Sequence, residues 1–115
     1  MTNLTKDAIL AAQDLKTETV KMPEWGGEVI VQTMTGTGKD SFERGCFEDQ
    51  KNGKVNVRGR LVAACVVDDK GNRLFAEQDI EALGRKSAKA LDRVFDVSAR
   101  LNAVSEKDIE DIAKN

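Results

Sequence analysis

Seven consecutive residues, Leu61-Val62-Ala63-Ala64-Cys65-Val66-Val67, carry no polar side chain, and they sit in the middle of a chain of only 115 residues. A surface element spaces its apolar positions, whereas an unbroken run of this kind has to be enclosed on every side. It is far too short to cross a membrane, which takes about 20 apolar residues. A chain of this length buries roughly two thirds of its unfolded surface, enough for one core and one domain. The run must therefore be the centre around which everything else is wrapped. Ala63 and Ala64 favour helix, Val62, Val66 and Val67 favour strand, and periodicity does not separate a buried helix from a buried strand. We read a helix over 57–67, led in by Arg58 and Arg60, with a buried strand as the alternative.

The flanking sequence supplies elements to cover that centre. Residues 1–14 form an N-terminal helical arm, with Thr5 as a cap and Ile9, Leu10 and Ala12 as a thin apolar stripe. Residues 15–35 read as a β-hairpin. Thr17, Thr19 and Val20, then Val29, Ile30, Val31 and Thr33, are rich in β-branched side chains on either side of Pro23-Glu24-Trp25-Gly26-Gly27. Helical spacing begins after Gly36, with Thr37 able to cap and Phe42, Cys46 and Phe47 on one stripe of a helix over 37–50. Asp68-Asp69-Lys70-Gly71-Asn72 is a turn. Helices follow over 77–83, 87–103 and 106–114, the last opened by a Ser105-Asp108 capping box. The expected fold is α+β: a small, mostly helical single domain over 15–115, with the N-terminal β-hairpin packed on a helical bundle.

Composition narrows the chemistry. The chain has no His, so Ser-His and Cys-His nucleophile pairs are excluded and the commonest metal ligand is missing. Cys46 and Cys65 are not part of a CxxC pair, so a structural zinc site lacks its ligands and the two read as buried thiols. A net charge of −2 gives no general attraction to nucleic acid. The short basic stretch Lys51, Lys54, Arg58 and Arg60 lacks the aromatic residues that stack on bases. Gly36-Thr37-Gly38-Lys39-Asp40 resembles a phosphate loop only superficially, because Asp40 stands where Ser or Thr should follow the Lys. The 68–72 turn lacks the alternating oxygen ligands of a calcium loop. No cofactor and no metal is expected, and no membrane span. Nothing in residues 1–12 looks like a secretory signal, which points to a cytoplasmic protein.

Two features suggest a partner surface. Trp25 is the single Trp and sits at the hairpin tip; packing back on the core is favoured over an exposed anchor, although Trp is also enriched at interface hot spots. The 87–103 helix carries more apolar surface than one small core needs, with Leu91, Val94, Val97 and Leu101 on its stripe. A spare stripe marks a partner groove or a self-association face. Trp25, Leu91, Val94, Val97 and Leu101 are the candidate partner-binding residues.

Over 18–114 the sequence as a whole resembles the tail assembly chaperones of long-tailed bacteriophages and prophages. The resemblance rests on Glu24-Trp25-Gly26-Gly27 followed by Val29-x-Val31, on Thr35-Gly36 with Asp40-Ser41-Phe42-Glu43, and on Leu61-Val62-Ala63-x-Cys65-Val66-Val67-Asp68. It continues through Gly71-x-Arg73-Leu74-Phe75, Asp79-Ile80, Leu83-Gly84 and Ala90-Leu91-Asp92-Arg93-Val94-Phe95 to Arg100-Leu101-Asn102. It implies a non-enzymatic chaperone in the host bacterial cytoplasm that binds and solubilises the tape measure protein and helps recruit tail tube subunits. It also implies absence from the mature virion. In this family a ribosomal frameshift commonly adds a second domain that contacts the tube protein. The alternative is a small structural or tail-completion protein of a phage tail.

Overall fold

The computed structural model describes residues 2–114; Met1 of the expected arm and Asn115 of the expected domain lie outside it. In chain order the elements are α1 (Lys6–Ala11), β1 (Thr17–Met22), a 3₁₀ turn (Pro23–Trp25), β2 (Gly27–Gln32), α2 (Gly36–Lys51), α3 (Val57–Cys65) and β3 (Val66–Val67). A second 3₁₀ turn (Glu77–Asp79) leads into α4 (Ile80–Gly84), followed by α5 (Ala88–Leu101) and α6 (Glu106–Lys114). The fold is α+β, as expected: a three-stranded antiparallel sheet in the order β1-β2-β3, with helices covering it.

α3 is the centre. Gly59, Leu61, Val62, Ala63 and Cys65 are all buried, and the helix packs against α2, α4 and α5. The expected helix over 57–67 is corrected at its end. It stops at Cys65, and Val66 and Val67 run as a strand paired with Val31 and Ile30. The cause is tertiary. β2 offers an open hydrogen-bonding edge at this point, and two β-branched residues leave a helix at little cost because their χ1 freedom is restricted there anyway.

The hairpin pairs Thr17 with Gln32 through Met22 with Gly27, and Gly26 closes the 3₁₀ turn with φ 78°, a conformation that glycine adopts without strain. Val20, Met22 and Val31 point inward onto α5. The cap of α2 is Thr35, whose hydroxyl accepts from the Gly38 N–H at 2.9 Å, and not Thr37, which already lies in the first turn. The Ser105-Asp108 box forms reciprocally, at 3.0 and 3.1 Å. Asp68 closes the 68–72 turn by accepting from the N–H groups of Lys70 and Asn72 at 2.8 and 3.0 Å. α1 is capped by Thr5 yet buries no residue, so the arm stands off the domain.

Candidate interaction surface

α5 lies across the hairpin and is fastened to it by two ion pairs, Arg93 with Glu24 and Arg100 with Glu18, the second at 2.7 Å. Residues 93, 97 and 100 share one helix face, so Val97 is carried between the two pairs. The five expected partner residues divide along this geometry. Leu91 and Val94 are 2% and 0% exposed and belong to the core. Val97 and Leu101 are half-buried against that core. Trp25 is 37% exposed at the hairpin tip, so the expected packing of its ring into the core does not occur. The 3₁₀ turn forms the tip, and Glu24 ties it to α5 through Arg93. On α5, Val97 and Leu101 thus keep part of their side chains accessible while Leu91 and Val94 are enclosed, and Trp25 lies exposed at the hairpin tip.

The C-terminal end of α5 is locked by a side chain that the sequence did not single out as a site. Asn102 Oδ1 accepts from the Met34 N–H at 2.7 Å, and its Nδ2 donates to the Ser98 carbonyl at 2.8 Å and to Cys65 Sγ at 3.4 Å. One amide thus joins α5, α3 and the end of the hairpin. Ser98, fully buried, donates its hydroxyl to the Val94 carbonyl at 2.8 Å, so its polar group is satisfied within the helix.

A second apolar feature lies between α2 and α6. Phe42 and Cys46 enter the core as their stripe predicts, but Phe47 does not. It is 49% exposed and lines an open groove of about 300 Å³ with Glu43, Asp111 and Ile112. The Lys51 ammonium lies 5.8 Å from the centre of its ring.

A polar cleft of about 510 Å³ opens between the start of α3 and the 77–85 segment. Arg60 forms its floor. Its side chain is only 12% exposed and grips Asp49 of α2 through Nε and Nη2, the latter at 2.9 Å, while Nη1 reaches both Glu77 oxygens at 3.1 and 3.2 Å. These charge-assisted bonds raise the pKa of the guanidinium further above its already high value. With its donors committed to two carboxylates, Arg60 is a structural clamp and not an anion receptor. Arg58 is likewise paired, with Asp92 at 2.5 Å. Two of the four cations in the basic stretch are therefore neutralised within the domain.

Asn56 connects this cleft to the core. Its Oδ1 caps α3 by accepting from the Gly59 N–H at 3.1 Å, and its Nδ2 donates to the Ile80 carbonyl at 3.0 Å. Gly59 and Gly84 press on either side of the amide, and a Cβ at those positions would fall 2.5 and 2.6 Å from it. The two glycines are therefore required by close approach.

Burial pushes both thiols up to about 11, which keeps Cys46 and Cys65 protonated at neutral pH. A hydrogen bond from backbone N–H, with the Arg93 guanidinium beside it, holds the Glu24 carboxyl below its ordinary value. Among the described residues no three of His, Cys, Asp and Glu come together as metal ligands would, and no helix is long and apolar enough to cross a membrane.

No family model and no curated protein matches the sequence. A solved structure does match, that of the tail assembly chaperone of bacteriophage HK97, with a TM-score of 0.60 at 16% identity. The alignment covers 87% of this chain and 95% of that one, so the two share a fold over nearly the whole of both.

Proposed function

We propose that this chain is a phage tail assembly chaperone that binds the tape measure protein, keeps it soluble, and helps recruit tail tube subunits during tail morphogenesis. The observation that carries this reading is the fold shared with the HK97 chaperone over nearly the full length of both chains. The sequence resemblance points the same way from different information. The protein acts as a non-enzymatic binding module in the host cytoplasm and leaves before the virion is complete.

The physical logic is reversible masking. A long helical tape measure protein exposes apolar stripes, and small subunits can cover them through modest apolar patches that release easily. Trp25, Val97 and Leu101 supply such a patch. Each contact is weak, and an array of subunits along one partner makes the whole coat strong.

The test is co-expression with the tape measure protein encoded by the same phage. A soluble complex that co-elutes, and that is lost when this chain is omitted, is the expected result. Trp25→Ala, at an exposed position, should keep the far-UV circular dichroism spectrum and reduce co-elution. A tape measure protein that stays insoluble, together with this chain found in purified particles, would overturn the proposal in favour of a structural tail component.

A further inference from the structure

Phe47 stands where two helices leave a trough open. The end of α5 is tied to the start of α2 by the bond from the Met34 N–H to Asn102, so α6, which follows α5, begins beside the first turn of α2. The Ser105 N–H and hydroxyl hold the Asp108 carboxyl below its ordinary value, and Lys39 of α2 adds to this from across the gap. Further along, Asp111 and Ile112 of α6 meet Glu43 and Phe47 of α2 around the groove of about 300 Å³. The two helices therefore run in the same sense, with the trough open between their outer faces.

The trough has an apolar floor and acidic walls. Phe47 and the half-buried Ile112 form the floor, while Glu43 on one helix and Asp111 on the other are both exposed beside it. None of the ion pairs among the described residues includes Glu43. By sequence, α2 and α6 hold five basic and eight acidic residues, whereas the rest of the chain holds thirteen and twelve, so the negative charge is gathered on this pair of helices. Beyond the ring, the Lys51 ammonium lies 5.8 Å from its centre, so the exposed face of Phe47 accommodates a cation.

We propose that this trough receives a basic amphipathic helix of a partner protein, with an apolar side chain on Phe47 and Ile112 and a Lys or Arg one turn away, between Glu43 and Asp111. Spacing selects a helix. Glu43 and Phe47 are four residues apart, about 6 Å along α2, so a helix laid beside α2 presents matching side chains at i and i+4. The volume suits one large aliphatic side chain and the methylene stem of the neighbouring cation, whose charged head stays at the acidic rim. Charge selects a basic helix. An acidic one would set carboxylates against both walls, and a second copy of this chain bringing the same face would do the same. The trough uses none of Trp25, Val97 and Leu101, so the inference stands whether or not those residues bind the tape measure protein.

Two fluorescein-labelled model peptides of about 18 residues, long enough to hold a helix, test this against the full chain by fluorescence anisotropy at low salt. They share one leucine stripe and differ only in carrying Lys or Glu on its flanks. The Lys peptide should bind in the micromolar range and the Glu peptide at least about tenfold more weakly. Glu43→Lys, at an exposed position, should weaken the Lys peptide about tenfold, and Phe47→Ala should do likewise, both with an unchanged far-UV circular dichroism spectrum. Asp69→Lys, on the exposed 68–72 turn, makes the same change in net charge away from the trough and should alter binding less than about twofold. No binding of the Lys peptide, equal binding of the two peptides, or binding indifferent to Glu43→Lys or to Phe47→Ala overturns the proposal. A loss with Asp69→Lys as large as with Glu43→Lys overturns it too, because the attraction is then general. Self-association of the wild-type chain in sedimentation velocity that disappears in Glu43→Lys assigns the trough to a second copy and also overturns it.

Discussion

Arg60→Met should cost about 2–4 kcal/mol of stability, and pairing it with Asp49→Leu should restore most of that loss. The estimate is built from the three groups separately. Glu77 is 73% exposed, so its half of the clamp is a surface pair worth about 0–1 kcal/mol. Asp49 is 16% exposed and would lose a two-pronged, charge-assisted contact, leaving a mostly buried carboxylate without its cation. Removing one partner of a fully buried pair costs about 3–5 kcal/mol, and access from the adjoining cleft lowers this to about 2–3. Replacing both partners by apolar side chains removes the desolvation penalty together with the attraction, so the double variant should lie within about 1 kcal/mol of wild type. The magnitude of the interaction energy from the cycle should be at least about 2 kcal/mol, because Asp49→Leu alone also strips a mostly buried charge of a partner. Urea unfolding followed by circular dichroism and by Trp25 fluorescence gives the free energies. A melting scan should show the single variant lower by roughly 10 °C. A single variant within about 0.5 kcal/mol of wild type, or a double variant as unstable as the single, would refute the assignment of Arg60 as the clamp between α2, α3 and the 77–79 turn.

Burial raises both cysteine pKa values to about 11, so the unfolded chain loses its thiol protons at lower pH than the folded one. Stability is therefore complete below about pH 9 and should fall as the pH rises towards 11, by up to about 1.4 kcal/mol per pH unit for each thiol; urea titrations at stepped pH, with the Cys46→Ala, Cys65→Ala variant as reference, check the sign. Gly59→Ala would drive a methyl into the Asn56 amide and break the cap of α3, for a loss of about 1–2 kcal/mol, whereas Gly59→Ala in an Asn56→Ala background should cost little more than Asn56→Ala alone. Thermal denaturation of the three variants measures this.

Local chemistry was legible wherever a few neighbouring residues decide the outcome. Thr5, Ser105 with Asp108, and the Asp68 turn all act through side chains that reach backbone groups two to four residues away, so sequence spacing alone specifies them. The same holds for the hairpin, where β-branched runs flank a Pro-Gly tip. The unread features depend on partners far along the chain. Val66 and Val67 become a strand because β2, some 35 positions earlier, has an edge to fill. Phe47 continues the stripe of Phe42 and Cys46, yet α6 covers only part of that side, so the ring stays outside. Arg60 reads as one of four basic residues in a short stretch leading into the 57–67 helix, and only the arrival of Asp49 and Glu77 from two other elements makes it a clamp.

The candidate surface shows the same division. The stripe on α5 was legible as amphipathic, but the hairpin and α3 together take most of it: Leu91 and Val94 are enclosed, and Ser98 shares the buried face with its hydroxyl turned back to Val94. A partner helix therefore cannot lie in a groove floored by those residues without opening the domain. The apolar groups that remain available are concentrated at the start of the chain, where Leu4, Ile9, Leu10, Leu15 and Trp25 are all exposed, while α3 to α6 contribute few. Under the proposed function, contacts made through these exposed residues can break without disturbing the packing that holds α3 in place. Masking a long apolar partner and then releasing it requires that separation: the contacts that break must be different from those that maintain the fold.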